Sequence, residues 1–217
     1  MSATVTESEA LSPVKAVEEI RRIGSLHGAL ARRTAGLTWM IWGVVAPAIF
    51  VTYSLAGLVV AQDPAAARLF PILWIPWAAL GLLTTASLWR SVGLVIPVDR
   101  TRGARQGIVT GIVIVGFIAA GIIAIEFMGA PISEPAWALM GLGLAALAVG
   151  ILGLNCYDAT DRRAWIAGGA IMALTALAGS LLLGGDVGAG RQWFTVISPL
   201  TSALVFFGGG LYLTTRA

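Results

Sequence analysis

AGLTWMIWGVVAPAIFVTYSLAGLVV, residues Ala35 to Val60, contains no charged side chain and follows the Arg32–Arg33 pair by one residue. A bilayer core about 30 Å thick is crossed by about 20 mainly apolar residues in a helix. This run is long enough to cross, and its basic flank marks which end stays inside. Five more segments of the same kind follow. They run from about Phe70 to Ile96, Gly107 to Met128, Pro135 to Tyr157, Ala164 to Gly184 and Trp193 to Thr214.

The whole composition agrees. The chain of 217 residues is 58% hydrophobic and only 12% charged, where a soluble domain carries roughly a quarter charged residues. Too few charges remain to clothe a water-facing surface of this size. The expected fold is therefore all-α, a bundle of six transmembrane helices preceded by a cytoplasmic amphipathic helix. Residues 1–11 read as a disordered tail, 12–33 as the amphipathic helix and 34–217 as the membrane domain.

The loops supply the orientation. Lys15, Arg21, Arg22, Arg32 and Arg33 precede the first span. Arg90, Arg100, Arg102 and Arg105 surround the second loop, Arg162 and Arg163 the fourth, and Arg216 closes the tail; only Arg68 and Arg191 lie opposite. Twelve basic residues against two, out of the 14 in the chain, places both termini in the cytoplasm of a cell-membrane protein by the positive-inside rule. The net charge of +3 is thus a topological signal and gives no reason to expect nucleic acid as a partner. Trp39, Trp89 and Trp165 fall near the inner ends of spans, and Trp74, Trp137 and Trp193 near the outer ends. An aromatic belt at the headgroups accounts for that distribution.

The segment before the first span has its own pattern. Ser12 followed by Pro13 is a helix start, a capping hydroxyl ahead of proline at the first helical position. Ala16, Ile20, Ile23, His27 and Leu30 then recur at spacings of four, three, four and three, which gathers them on one face. This face is a candidate interaction surface for lipid or for another helix. The first 33 residues also hold Glu7, Glu9, Glu18 and Glu19 and no continuous apolar core, which is unlike a cleavable leader.

Groups that carry chemistry are sparse. Glu126 is the only acid within a span, and an intramembrane carboxylate is a functional candidate by default. It lies two residues before Met128, at the outer end, where it reaches interfacial water. Pro47, Pro76 and Pro199 interrupt spans and free backbone carbonyls that need partners or a wet cavity. Ser198, Thr201 and Ser202, with Thr195, share part of one face of the last span, and Thr84, Thr85, Ser87 and Ser91 form a looser group in the second. Together Pro47, Pro76, Glu126, Ser198, Pro199, Thr201 and Ser202 outline a candidate solute path. Hydroxyls in such positions also bond the carbonyl one turn back or a neighbouring helix. The 27 glycines point to close helix packing, within the chain or between subunits.

Other chemistry is missing from the sequence. His27 and Lys15 are the only residues of their kinds and both precede the spans, so the bundle offers no bis-histidine haem site, no histidine-built metal site and no lysine for a retinal Schiff base. Cys156 is alone. There is no phosphate-binding glycine–lysine loop and no nucleophile elbow. No enzyme activity, cofactor or metal is expected. The reading that fits is a non-catalytic accessory or scaffold subunit of a membrane assembly, with the lipid bilayer and other membrane-protein subunits, or further copies of itself, as partners. The alternative is a channel or carrier for a small solute. A cysteine introduced at Arg102 is expected to react with impermeant reagents only from the cytoplasmic side; labelling from outside intact cells would break the topology.

Overall fold

A computed structural model describes residues 13–62, 75–93, 132–154, 159–183 and 186–216, with isolated positions between 109 and 123. Among the described residues the chain is all-helical, with no strands: α1 (Pro13–Gln62), α2 (Ile75–Val92), α3 (Glu134–Leu152), α4 (Ala159–Leu182) and α5 (Val187–Thr215). Four of these, α1, α3, α4 and α5, are long and apolar enough to cross a membrane, which is compatible with an integral membrane protein. The third expected span is described only at scattered positions. Glu126, Arg102 and the tail before Pro13 lie outside the described residues.

The ends of the helices follow local chemistry. α3 stops at Gly153, whose φ of 66° puts it in the left-handed region. There the Gly153 N–H reaches Gly150 O at 3.2 Å and the Leu154 N–H reaches Val149 O at 2.9 Å, the paired bonds of a Schellman turn. Asp186 starts α5. Its Oδ1 accepts from the Gly188 and Ala189 N–H groups at 2.9 and 3.0 Å, satisfying donors that the first turn leaves without helical partners. α1 has no such stop near residue 33. It runs unbroken for 50 residues, about 75 Å at the standard rise, more than twice the thickness of a bilayer core. The expected amphipathic segment and the first span are thus one rod.

Two helix pairs form the frame. α1 packs along α5, and α3 along α4. Both pairs are antiparallel and close because glycine faces glycine. A methyl group on Gly36 would lie 2.7 Å from Gly210 O, and one on Gly210 would lie 2.6 Å from Gly36 O. The same reciprocity joins Gly143 and Gly169, at 2.7 and 2.6 Å. Lipid tails are as apolar as leucine, so helices in a membrane gain little from hydrophobic burial against one another. Close backbone approach at small residues supplies the dispersion contacts instead.

Trp39 fills the junction between the pairs. It is 3% exposed, meets Trp165 of α4 edge-on at 4.9 Å between centroids and Phe206 of α5 at 5.5 Å, and lies over Gly168 and Gly209. The aromatic-belt expectation therefore fails for this residue. Its position along the chain is near a membrane interface, but its face of α1 points inward. Trp193, 59% exposed, retains a lipid-facing position.

These contacts also align the charges. Thr38 of α1 sits beside Trp89 of α2, Gly36 beside Thr214 of α5, and Trp39 beside Trp165 of α4. Arg32, Arg33, Arg90, Arg162, Arg163 and Arg216 consequently share one end of the bundle, while Arg191, in the first turns of α5, lies at the other. Among the described arginines the packing keeps this separation; Arg68, Arg100, Arg102 and Arg105 lie outside the described residues.

Gly169→Ala is expected to cost about 1–3 kcal/mol, the usual penalty of overpacking, because its added methyl meets backbone. Gly28→Ala, where the new methyl would meet nothing within 4 Å, is expected to be neutral or to stabilise by up to about 1 kcal/mol through helix propensity. Unfolding curves in mixed micelles measure both, and equal effects would contradict the packing described.

Candidate functional site

Of the residues proposed as a solute path, Glu126 lies outside the described residues and the others occupy separate places in the described helices. Ser198 and Ser202 are fully buried, and their hydroxyls are occupied. Ser198 Oγ donates to Pro135 O at 3.0 Å, tying the middle of α5 to the first turn of α3, and Ser202 Oγ donates to Pro199 O at 3.0 Å. Thr201 is half-buried. Thr195 Oγ1 turns back to Arg191 O at 2.7 Å. A buried hydroxyl bonded to a carbonyl is a packing element in an apolar setting, where an unmade bond is costly.

The prolines separate likewise. Pro47 lies inside α1 and Pro199 inside α5, both half-buried. Pro76 is the second residue of α2 and exposed. In the first turn of the described helix the missing N–H of Pro76 removes no helical bond; residues 63–74 lie outside the described residues. Two surface hollows border described residues away from the expected path. One is bordered by Lys15, Glu18, Glu19 and Arg22, the other by Gln192, Trp193, Val196 and Ile197. Neither is lined by a residue of the expected path.

The polar contacts that do cross between helices are structural clamps. Trp77 Nε1 donates to Thr52 Oγ1 at 2.9 Å and Trp89 Nε1 to Thr38 Oγ1 at 3.1 Å. These two bonds join α1 and α2 like rungs near the two ends of α2. Thr38 passes the interaction on, donating to Thr34 O at 2.9 Å, and Thr34 donates to Leu30 O at 2.8 Å. Indole is suited to this task because its ring packs against apolar neighbours while its N–H needs an acceptor. Sequence reasoning missed these pairs. The available signal was two threonines 14 residues apart on one span and two tryptophans 12 residues apart on the next, antiparallel one.

Arg162 forms a second clamp. Its Nε reaches Gly150 O at 2.9 Å and its terminal nitrogen Ile151 O at 2.8 Å, so a guanidinium on the first turn of α4 covers the carbonyl end of α3. A cation there also complements the negative end of the α3 dipole. Loop charge alone identified Arg162 only as a topology signal. Asp161, one residue before it, is buried at 1% exposure, and its short chain gave no sign of this.

The interaction face fares differently from the path. Ile20 and Ile23 are 71% and 42% exposed; Ala16, His27 and Leu30 are half-buried. No residue from 13 to 30 is fully buried, and Ala31 is the first that is. Glu19 and Arg22 form a surface ion pair at 2.6 Å. The hydrogen bond from Arg22 holds the Glu19 carboxyl below its usual range, opposed by slight desolvation and aided by the charge of Arg22. A lowered carboxylate pKa helps the helix above the ordinary carboxylate range, and the help fades as pH falls through the depressed value; at a surface site this is a small effect.

No protein-family model, curated protein or solved structure matches the chain. Function must therefore be argued from the residues themselves.

Removing the rungs one at a time and together tests the clamp. In a Trp77→Phe and Thr52→Val double-mutant cycle a coupling of about 0.5–1.5 kcal/mol is expected, the net worth of one hydrogen bond. A coupling near zero would mean the indole is held by packing alone.

Proposed function

We propose that the chain is a six-span membrane protein with both termini in the cytoplasm, acting as a non-catalytic accessory or scaffold subunit of a membrane assembly. The observation that carries this is the state of the hydroxyl face on α5. The residues best placed to line a polar path, Ser198 and Ser202, are sealed inside helix contacts and hydrogen-bonded to backbone. A conduit needs such groups in contact with water or solute. A subunit needs a rigid body and a face to offer, and the clamps, the glycine contacts and the exposed α1 face provide those.

The six-span count rests on the apolar run from Gly107 to Met128 together with the described helices. The cytoplasmic placement of both ends rests on the arginine-rich end of the bundle and the positive-inside rule. The amphipathic face from Ala16 to Leu30 is the proposed contact with protein or lipid, and other membrane subunits or further copies of the chain are the proposed partners.

Mild extraction from native membranes followed by mass analysis of the intact particle tests the reading. The expected particle contains more than one subunit, and vesicles holding the purified chain alone are expected to show no solute flux above that of empty vesicles. A lone, homogeneous chain that moves a solute in liposomes would establish the carrier alternative instead.

A further inference from the structure

We propose that α1 is a homodimerisation helix, pairing in parallel with α1 of a second copy along a seam that runs from the cytoplasmic extension into the membrane. This rests on the scaffold reading and names its partner.

The seam begins in the extension. If Ile20 and His27 are lettered a in a heptad, Ala16, Ile23 and Leu30 take d. The charged residues of the same stretch then sort themselves. Arg21 falls at b, Lys15 and Arg22 at c, Glu18 and Arg32 at f, all facing away from the seam. Only Glu19 and Arg33 fall at a flanking position, g, and Glu19 is engaged by Arg22 of its own helix. A 3.5-residue apolar repeat with charges mostly on the outer positions is the pattern of a coiled-coil seam, here widened by the exposed flanking residues Val17 at e and Leu26 at g.

Two heptads do not hold a coiled coil together, and the structure extends them. Continuing the same lettering into the span gives Leu37, Val44 and Val51 at d and Leu55 at a, while Thr34, also at a, is buried within the chain and Ile41 and Ala48 are half-buried, so the d line carries the seam there. Leu37, Val44, Val51 and Leu55 are the large apolar residues that α1 leaves exposed there, at 45%, 57%, 45% and 59%. The line Ile23, Leu30, Leu37, Val44, Val51 therefore recurs every seventh residue along one unbroken helix. It lies about a quarter to a third of a turn around the helix from the side that Gly36 and Gly43 set against α5. On a straight helix such a line drifts about 20° per heptad, and a left-handed supercoil removes the drift.

The occupant follows from this continuity. Lipid covers the stripe inside the bilayer, but the unbroken α1 carries the extension onward as a rod, where lipid does not reach Ile20 and Ile23. A second copy has the same apolar residues at the same heights, both in lipid and in water. Two copies with the same topology in one bilayer bring these helices together in parallel about an axis along the membrane normal. A cation-rich outer surface and an apolar seam suit that partner. Gly24, at the flanking e position with open space around it, lets a second backbone come near. His27 is the single polar group on the extension's seam and fixes its register as buried polar a residues do.

Cysteine cross-linking in native membranes tests this, with Cys156→Ser as background because Cys156 is the only cysteine. Ile23→Cys and Val44→Cys, placed singly, are each expected to give a disulfide-linked dimer on oxidation, and Glu18→Cys is expected to give none. Ile20→Lys and Ile23→Lys together, in a stretch with no buried residue to unfold, are expected to lower the yield at Val44→Cys at least about tenfold, a shift of about 1.4 kcal/mol. Absence of the dimer at Ile23, or equal yields at Ile23 and Glu18, overturns the proposal. Cross-links only to a different protein also overturn it while leaving the scaffold reading standing. Release of the chain from membranes by alkaline carbonate would overturn the membrane reading beneath both.

Discussion

Backbone approach at two glycine pairs sets the geometry of this protein. Gly36 against Gly210 and Gly143 against Gly169 bring helices so close that an added methyl on any of the four would meet a facing carbonyl at 2.6–2.7 Å. In a bilayer this replaces the driving force that water gives a soluble core. Burying leucine against leucine gains little where lipid is the alternative, whereas shortening the distance between two helices multiplies weak contacts. With the α1–α5 and α3–α4 pairs fixed, the space left at their junction has one shape. Trp39 fills it, flanked by Trp165 and Phe206.

Polar groups then lock what the glycines permit. Two indole N–H groups fasten α2 to α1, Ser198 fastens α5 to α3, and Arg162 fastens α4 to the end of α3. Each uses a donor that is costly to leave unmade in apolar surroundings. Hydroxyls aimed at carbonyls of neighbouring turns or helices are engaged in packing, whereas Thr85 Oγ1, Ser133 Oγ and Trp137 Nε1 are buried without a hydrogen-bond partner among the described residues.

What was legible in the sequence follows the range of the physics involved. Hydropathy is a local sum, and the runs around Ala35–Val60, Pro135–Tyr157, Ala164–Gly184 and Trp193–Thr214 correspond to described helices that are long enough to span. Loop charge is also local, and the described arginines Arg32, Arg33, Arg90, Arg162, Arg163 and Arg216 share one end of the described helices. Pairwise geometry is not local. Trp39 has the chain position of a headgroup anchor, and only the azimuth of α1 against α4 and α5 makes it core. Ser198 and Ser202 look alike whether they face a channel or a carbonyl. The amphipathic spacing from Ala16 to Leu30 was legible, but its continuation as an exposed line through Leu37, Val44 and Val51 required knowing which side of α1 meets α5.

The account depends on the hydroxyl face of α5 being interior to the protein and closed to water. Cysteine accessibility at Ser198 and Ser202, each introduced singly in a chain lacking Cys156 and probed with small methanethiosulfonate reagents in intact membranes, measures this directly. Both positions are predicted to stay unmodified from either side while Arg191→Cys, at an exposed site, reacts fully. Rapid modification of Ser198→Cys or Ser202→Cys by a charged reagent would show a wet path through the bundle and contradict the account.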